Sequence, residues 1–218
     1  MFYDTRTGDH GLPHNPFKAC VVPRPIGWIT TLNEAGQVNL APYSFFNGVA
    51  GDPPVVMFAA GGRKSDGPPD GSKDSLANAE RTREFVCNVV TWDLREQMNM
   101  TSASAPAGTS EAEIAGLELV PSELVKPPRV AASPIHLECT YLQTVDLPSA
   151  IPDSRNAVVF GQVIGIHIED SVLTDGLVDM AKVKPIARLG YMDYCLVEEV
   201  FSIKRPDGPL KSRSDAAE

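Results

Sequence analysis

Several familiar signatures are missing from this sequence, and each absence removes a class of function. No run approaches the ~20 consecutive apolar residues that a membrane-crossing helix requires. The opening MFYDTRTGDHG has no basic cluster ahead of an apolar stretch, so no secretory leader is expected there. No Lys/Arg-rich run occurs, and the 218 residues carry a formal net charge of -9. A nucleic-acid partner would call for a basic face. There is no C-x-x-C pair, no zinc-type spacing and no H-E-x-x-H. Walker and G-x-S-x-G loops are absent as well. The G-x-G-x-x-G turn of a doubly wound dinucleotide fold is also lacking, and strands and helices do not alternate regularly. These absences lead to the expectation of a cytoplasmic protein with neither membrane nor nucleic acid as partner, and with no bound metal.

The composition is that of a globular chain, with 43% hydrophobic and 22% charged residues. The length suits one β-rich domain with short appendages. Cys87, Cys139 and Cys195 stand inside apolar runs (FVCNVV, HLECTYL, YCLVEEV), where a free thiol behaves as a small hydrophobe. His10 and His14 are separated by Gly11 and Pro13, so no helix aligns them. His136 and His167 stand alone on strands and read as satisfied or surface histidines. The carboxylate pairs Glu198/Glu199 and Glu111/Glu113 read as solvated faces.

Residues 1–19 mix Gly, Pro, His and charge without a period and form an N-terminal arm. The domain proper spans 20–205, and the polar residues 206–218 form a flexible tail. A hairpin is expected over 26–41, turning at Asn33–Gly36. Val55–Ala60 is a continuous apolar run that fits a buried strand. SFFN and the following GDPP are assigned to a loop and turn. Asp74 or Ser75 can cap a helix over 76–82, and Glu84–Val90 is a strand. Asp93 with Glu96 forms a capping box for a helix over 94–102, and Ser110 with Glu113 repeats it for 112–115. Residues 117–134 are punctuated by proline and run over the surface. Long strands are expected over 135–145 and 158–168, a short turn or helix over 178–182, and a closing strand over 194–201. In His136–Tyr141, polar and apolar residues alternate as on a half-buried strand. Mostly β elements with a few inserted short helices point to a closed antiparallel barrel, because closure removes exposed edges.

Chemistry is concentrated in three segments. GGRKSDGPPDGSKDS places Arg63, Lys64 and Lys73 beside hydroxyls just ahead of a helix start, which is what a phosphate needs. Read alone, it is equally a solvated loop whose serine caps a helix. GWITT and NLAPYSFFN add an indole, phenyl rings, hydroxyls and a carboxamide. Gathered at one end of a barrel, the three would suit a planar, hydrogen-bonding, phosphorylated ligand.

From Cys20 to Phe201 the sequence resembles the flavin reductase-like domain family of FMN-binding split barrels. The segments that carry the resemblance are RPIGWITTLNEAGQVNLAPYSFFNGVAGDPPVVMF, GGRK with KDSLANAERTREFVCNVV, PPRVAASPIHLEC, FGQVIGIHIED and PIARLGYMDY. The resemblance implies an antiparallel, Greek-key split barrel, FMN as cofactor, and a homodimer with the flavin near the subunit interface. It also implies that Trp28, Ile29, Thr30 and Thr31 border the flavin. Ser44 and the backbone of Phe45, Phe46 and Asn47 would contact its ring and ribityl chain. Lys73 and Ser75, with Asp74 between them and Arg63 assisting, would hold the phosphate. Ser75 stands where the family has threonine, and Tyr191 where it usually has a second glycine.

The function this implies is hydride transfer from NAD(P)H to flavin, with reduced flavin passing electrons to a monooxygenase or another acceptor. Such a transfer needs no protein acid or base, and no catalytic residue is assigned. No dinucleotide motif accompanies the flavin segments. The alternatives are therefore an FMN electron-transfer protein without NAD(P)H activity, akin to a flavoredoxin, and a ligand-binding barrel that has lost flavin.

Overall fold

The computed structural model describes residues 1–62, 70–103 and 109–205. The tail expected over 206–218 lies outside the described residues, as does Arg63. The chain begins with a 3-10 turn at Phe17–Ala19, then β1 (Arg24–Pro25), β2 (Gly27–Leu32), β3 (Val38–Tyr43), β4 (Phe46–Gly51) and β5 (Pro54–Ala60). Helix α1 (Asp74–Thr82) and β6 (Glu84–Val89) follow, then a 3-10 turn at Trp92–Leu94, α2 (Arg95–Met100) and α3 (Glu111–Ile114). Next come β7 (Leu119–Val120), β8 (Arg129–Val130), β9 (Ile135–Leu147), β10 (Asn156–Ile168), β11 (Leu173–Thr174) and β12 (Leu177–Val178). Helix α4 (Met180–Val183), β13 (Ile186–Arg188) and β14 (Tyr194–Leu196) complete it.

Seven strands form one antiparallel sheet in the order β3-β2-β6-β9-β10-β5-β4. Its two edge strands, β3 and β4, are joined by only Ser44 and Phe45. Laid flat, the six strand spacings would separate those edges by ~29 Å. The three Cα steps from Tyr43 to Phe46 reach at most ~11 Å. The sheet must therefore curl until its edges meet, and the fold is the mainly β, antiparallel split barrel expected from the sequence. Gly27 on β2 makes the closure possible. A Cβ there would stand 2.5 Å from Cδ2 of Phe46, so only glycine lets that ring lie against the strand.

The barrel interior holds Ile29, Phe58, Phe85, Cys87, Cys139 and Val159, and α1 adds Leu76 and Ala79 to it. Gly161 makes room in the same way, because a Cβ there would lie 2.3 Å from Cζ of Phe85. Outside the wall, Trp28 and Leu40 meet Leu94, Met98, Ala112, Val130 and Ile186 in a second apolar cluster. Strand β2 is thus covered on both faces. Beside it, β1, β13 and β14 form a small sheet of their own.

Several sequence expectations are corrected. SFFN is not all loop, because Phe46 begins β4, an exposed, bulged edge strand. The apolar run Val55–Ala60 is strand β5, but it alternates in burial. Val56, Phe58 and Ala60 point inward while the residues between are half-buried. Neither Asp74 nor Ser75 caps α1. Lys73 is the cap residue, and both lie inside the first turn. The capping-box helix is split into a 3-10 turn and the shorter α2, and no side chain caps either. Ser110 precedes α3 without a side-chain cap. The last strand stops at Leu196. On β9 the polar members His136 and Glu138 are buried, because the connection before the strand lies over them. Cys87 and Cys139 are buried and Cys195 half-buried, and all four cysteines are free. No helix among the described residues is long and apolar enough to cross a membrane. None of them forms a group that could hold a metal ion.

Candidate functional site

Residues at alternate positions of a strand share a face. On β3 these are Asn39, Ala41 and Tyr43, and they look onto the N-terminus of α1. With Pro42, Lys73, Asp74, Thr101, Ser102, Ala103 and Glu111 they line a cleft of about 130 Å³. The α1 N-terminus leaves N–H groups of its first turn without intrahelical partners. Asn39 fixes the strand to the helix by donating to Ser75 Oγ at 2.8 Å. Asn78 on α1 donates to Thr31 Oγ1 at 3.1 Å. Burial pushes the Tyr43 phenol up to about 12, although its hydrogen bond with Ser75 acts in the opposite direction. Tyr43 therefore stays a neutral hydroxyl throughout the physiological range.

Glu111 is buried and is not part of a solvated face. Its Oε2 accepts the Leu40 N–H at 3.1 Å, so α3 braces β3. Lys73 lies against the start of the loop, with Cε 3.9 Å from where a Cβ on Gly62 would stand. The far end of that loop is pinned by Arg155. Its guanidinium reaches Glu80 on α1 at 2.8 and 2.9 Å, Asp146 at 2.6 Å, and Ser72 Oγ at 3.4 Å. Those partners, Glu80 first, raise the Arg155 pKa above the usual arginine value.

The residues proposed from sequence divide into three groups. Lys73, Asp74 and Ser75 meet at the cleft with the β3 face. Ser44 and Phe45 lie at the end of β3 and are tied to Arg24, whose buried guanidinium donates to Ser44 Oγ at 3.4 Å and lies 5.7 Å from the Phe45 ring centre. The same guanidinium donates to the carbonyls of Lys18, Val21 and Leu189. Asn47 is exposed on β4, and Phe46 packs against the barrel interior. The side chains of Ile29 and Thr30 lie away from the cleft, and Trp28 lies behind its Thr101 wall. Trp28 is fully buried and donates Nε1–H to Thr101 Oγ1 at 2.8 Å. Ile29 is barrel core, and Thr30 Oγ1 accepts from Asn88 at 2.8 Å. Thr31 faces α1. Asn39, Tyr43 and Ser102 are not among the residues proposed from sequence, and Glu111 reads there as part of a solvated face. The alternation Asn39, Ala41, Tyr43 was the available signal for the first two. Tyr191 keeps the left-handed backbone that favours glycine, at φ 55°.

A flavin nucleotide was tested against this geometry. A whole one belongs with pockets of ~300–1,000 Å³, so the cleft takes only part of it. The α1 N-terminus, Lys73 and the Ser102 hydroxyl match a phosphate. From there the open face of β3 runs to Ser44 and Phe45, where a flat ring would find its polar and aromatic neighbours. The residues present fit the group.

A family model described as "Flavin reductase like domain" matches residues 19–186. An uncharacterized protein of Halalkalibacterium halodurans is 37% identical over 186 residues, covering 85% of this chain and 87% of that protein. Among solved structures, nitrilotriacetate monooxygenase component B from Bacillus cereus superposes with a TM-score of 0.83 at 27% identity, covering 93% of this chain and 98% of that one. Pseudomonas fluorescens 2-nitrobenzoate 2-nitroreductase NbaA gives 0.76 at 29% identity, covering 90% and 91%.

Proposed function

The chain belongs to the flavin reductase like domain family, a family of flavin-binding oxidoreductases, and from that premise we propose that it is an FMN-dependent NAD(P)H:flavin oxidoreductase. The observation that carries the reading is the cleft. Lys73 and the α1 N-terminus face β3, which leads directly into Ser44 and Phe45. Bound flavin supplies hydride acceptance and onward electron transfer. The chain does the rest. Lys73 and the first-turn N–H groups neutralise the phosphate, and Ser75 and Ser102 orient it. The Asn39–Ser75 bond holds the two walls at a fixed spacing. Arg24 fixes Ser44 and Phe45, and the Phe45 ring covers that end from water.

Strand β3 is an edge of its sheet and its residues beside the cleft are only half-buried, which favours a homodimer in which a second copy closes the site. Component B of a monooxygenase is similar to this chain, which supports a monooxygenase as downstream electron acceptor. The test is anaerobic absorbance of FMN-loaded protein with NADH and then NADPH. Bleaching of the flavin band by either nucleotide supports the reductase and identifies the donor. Bound flavin that only dithionite bleaches replaces it with the second reading, an electron carrier, which the missing dinucleotide motif favours.

A further inference from the structure

Outside the cleft, a second groove of about 280 Å³ opens between two walls, Trp92–Asn99 and Ile186–Leu196. Each wall carries an arginine laid on an aromatic ring. Arg95 Cζ stands 4.0 Å from the Trp92 ring centre, and Arg188 Cζ 4.4 Å from that of Tyr194. Both guanidinium groups are held in place. Arg95 donates to the Trp92 carbonyl at 2.7 Å, and Arg188 to the Tyr194 hydroxyl and the Tyr191 carbonyl. Stacked guanidinium groups keep their edge N–H groups available to an anion and their faces to a ring system. Glu96 also lines the groove, 3.5 Å from Arg95, but that pair is exposed and weak. Arg95, Arg188 and Glu96 leave the lining with a net positive charge in a chain of net charge -9. The floor is apolar, with Met98 and Ile186.

Pairing across the small sheet joins one wall of the groove to the proposed flavin end of the cleft. Arg188 pairs with Arg24 across β1 and β13, and with Tyr194 across β13 and β14. Directly paired residues share a face, so Arg24, Arg188 and Tyr194 form a row across the small sheet. Arg24, at one end, reaches Ser44 and Phe45. Tyr194, at the other, lines the groove. Burial, and then the neighbouring Arg188, hold the Arg24 pKa below its usual value, as expected for two adjacent cations.

We propose that this groove receives the adenosine-phosphate end of the pyridine dinucleotide whose nicotinamide meets the flavin beside Ser44 and Phe45. The proposal rests on the reading of a pyridine nucleotide as hydride donor. The purine lies among the stacked Trp92 and Tyr194 faces, and its phosphate lies between Arg95 and Arg188. A volume near the ~300 Å³ lower end of small-molecule pockets holds one ring and its charged group. The remaining diphosphate leads from Arg188 toward the cleft.

The probes are 5′-AMP and 2′,5′-ADP, which carry no hydride. They are titrated calorimetrically into oxidised, FMN-loaded protein and its Arg95→Gln and Arg188→Gln variants. Saturable one-to-one binding is expected, weakened ~10-fold or more in each variant, as for loss of a charged hydrogen bond. The KM for NAD(P)H should rise likewise in Arg95→Gln, with FMN affinity unchanged. Arg95 is half-buried at the start of α2, with its side chain partly in solvent, so this variant tests the groove even if Arg188→Gln fails to fold. Wild-type AMP binding in folded Arg95→Gln overturns the proposal. So does preferential binding of benzoate, which marks a site for small aromatic acids. Failure of both nucleotides to bind, with Trp92 shielded from acrylamide in a dimer, assigns the groove to a second copy instead. Groove binding of AMP without flavin bleaching by NAD(P)H would refute the reductase reading alone. Normal bleaching with an unchanged KM in Arg95→Gln would refute the groove alone.

Discussion

The carboxamide of Asn39 on β3 donates to Ser75 Oγ on α1 at 2.8 Å, and this bond sets the spacing between the two walls of the cleft. The strand contributes the open face and the helix contributes its N-terminus.

This pairing separates two roles at the α1 N-terminus. Ser75 is buried and holds Asn39, whereas Lys73 lines the cleft from the cap position. Lys73→Ala is expected to weaken FMN binding ~10- to 100-fold, the scale of one charged hydrogen bond, with the melting temperature unchanged. Ser75→Ala should lose affinity and also about 1 kcal/mol of stability, because Asn39 loses its acceptor. Flavin fluorescence titration and thermal unfolding of both variants measure the split. Equal stability loss in the two would refute it.

The barrel and its interior were legible because strand periodicity and turn residues are local signals. The site residues were legible mainly through resemblance. What could not be read locally is which face of a strand a second element covers. Trp28 stands in the segment expected to border flavin, yet the Leu94–Met98 region folds back over its face of β2 and buries it. Glu111 reads as a surface carboxylate because its acceptor role depends on Leu40, 71 positions away in the chain. Strand β4 was missed because its Gly-rich, exposed residues carry no apolar alternation. Its existence follows only from pairing with β5.

The position of Trp28 gives a second prediction. Trp28→Phe keeps the ring burial and removes the Nε1–H bond to Thr101. The expected cost is about 1–2 kcal/mol of stability, from the lost bond and the small void. FMN affinity of the folded variant should stay within twofold of the parent. A tenfold loss of affinity without loss of stability would return the indole to the flavin surface.

Closure of the barrel rests on Gly27 and Phe46. Gly27→Ala sets a Cβ where the Phe46 ring lies, and overpacking of this kind costs about 1–3 kcal/mol. The displaced ring carries Ser44 and Phe45 with it, so FMN affinity should fall together with stability. Phe46→Leu in the same chain removes the clash and should recover part of both losses. Urea unfolding and flavin titration of the single and double variants test the coupling, and strictly additive effects would refute it.

The buried carboxylate of Glu138 makes stability depend on pH. It accepts N–H groups from Glu123 at 2.8 Å, Leu124 at 2.6 Å and Val125 at 3.2 Å, and it meets the His167 ring. Burial pushes this carboxyl up, but the Glu123 N–H, His167 and the Leu124 N–H together outweigh it and hold the pKa below the usual 4.5. The folded state therefore binds the proton less readily than the unfolded chain. The resulting stability is present above about pH 4.5 and is lost as pH falls through the lower folded-state value. Glu138→Gln turns an amide N–H toward backbone donors and should cost about 1.5–3 kcal/mol at pH 7. The gap to the parent should narrow on acidification below pH 4.5, because the parent loses its carboxylate there while the glutamine does not change. Urea unfolding of both proteins from pH 7 to pH 3 measures this, and a gap constant with pH would show that the carboxylate charge contributes nothing to holding the Glu123–Val125 connection on β9.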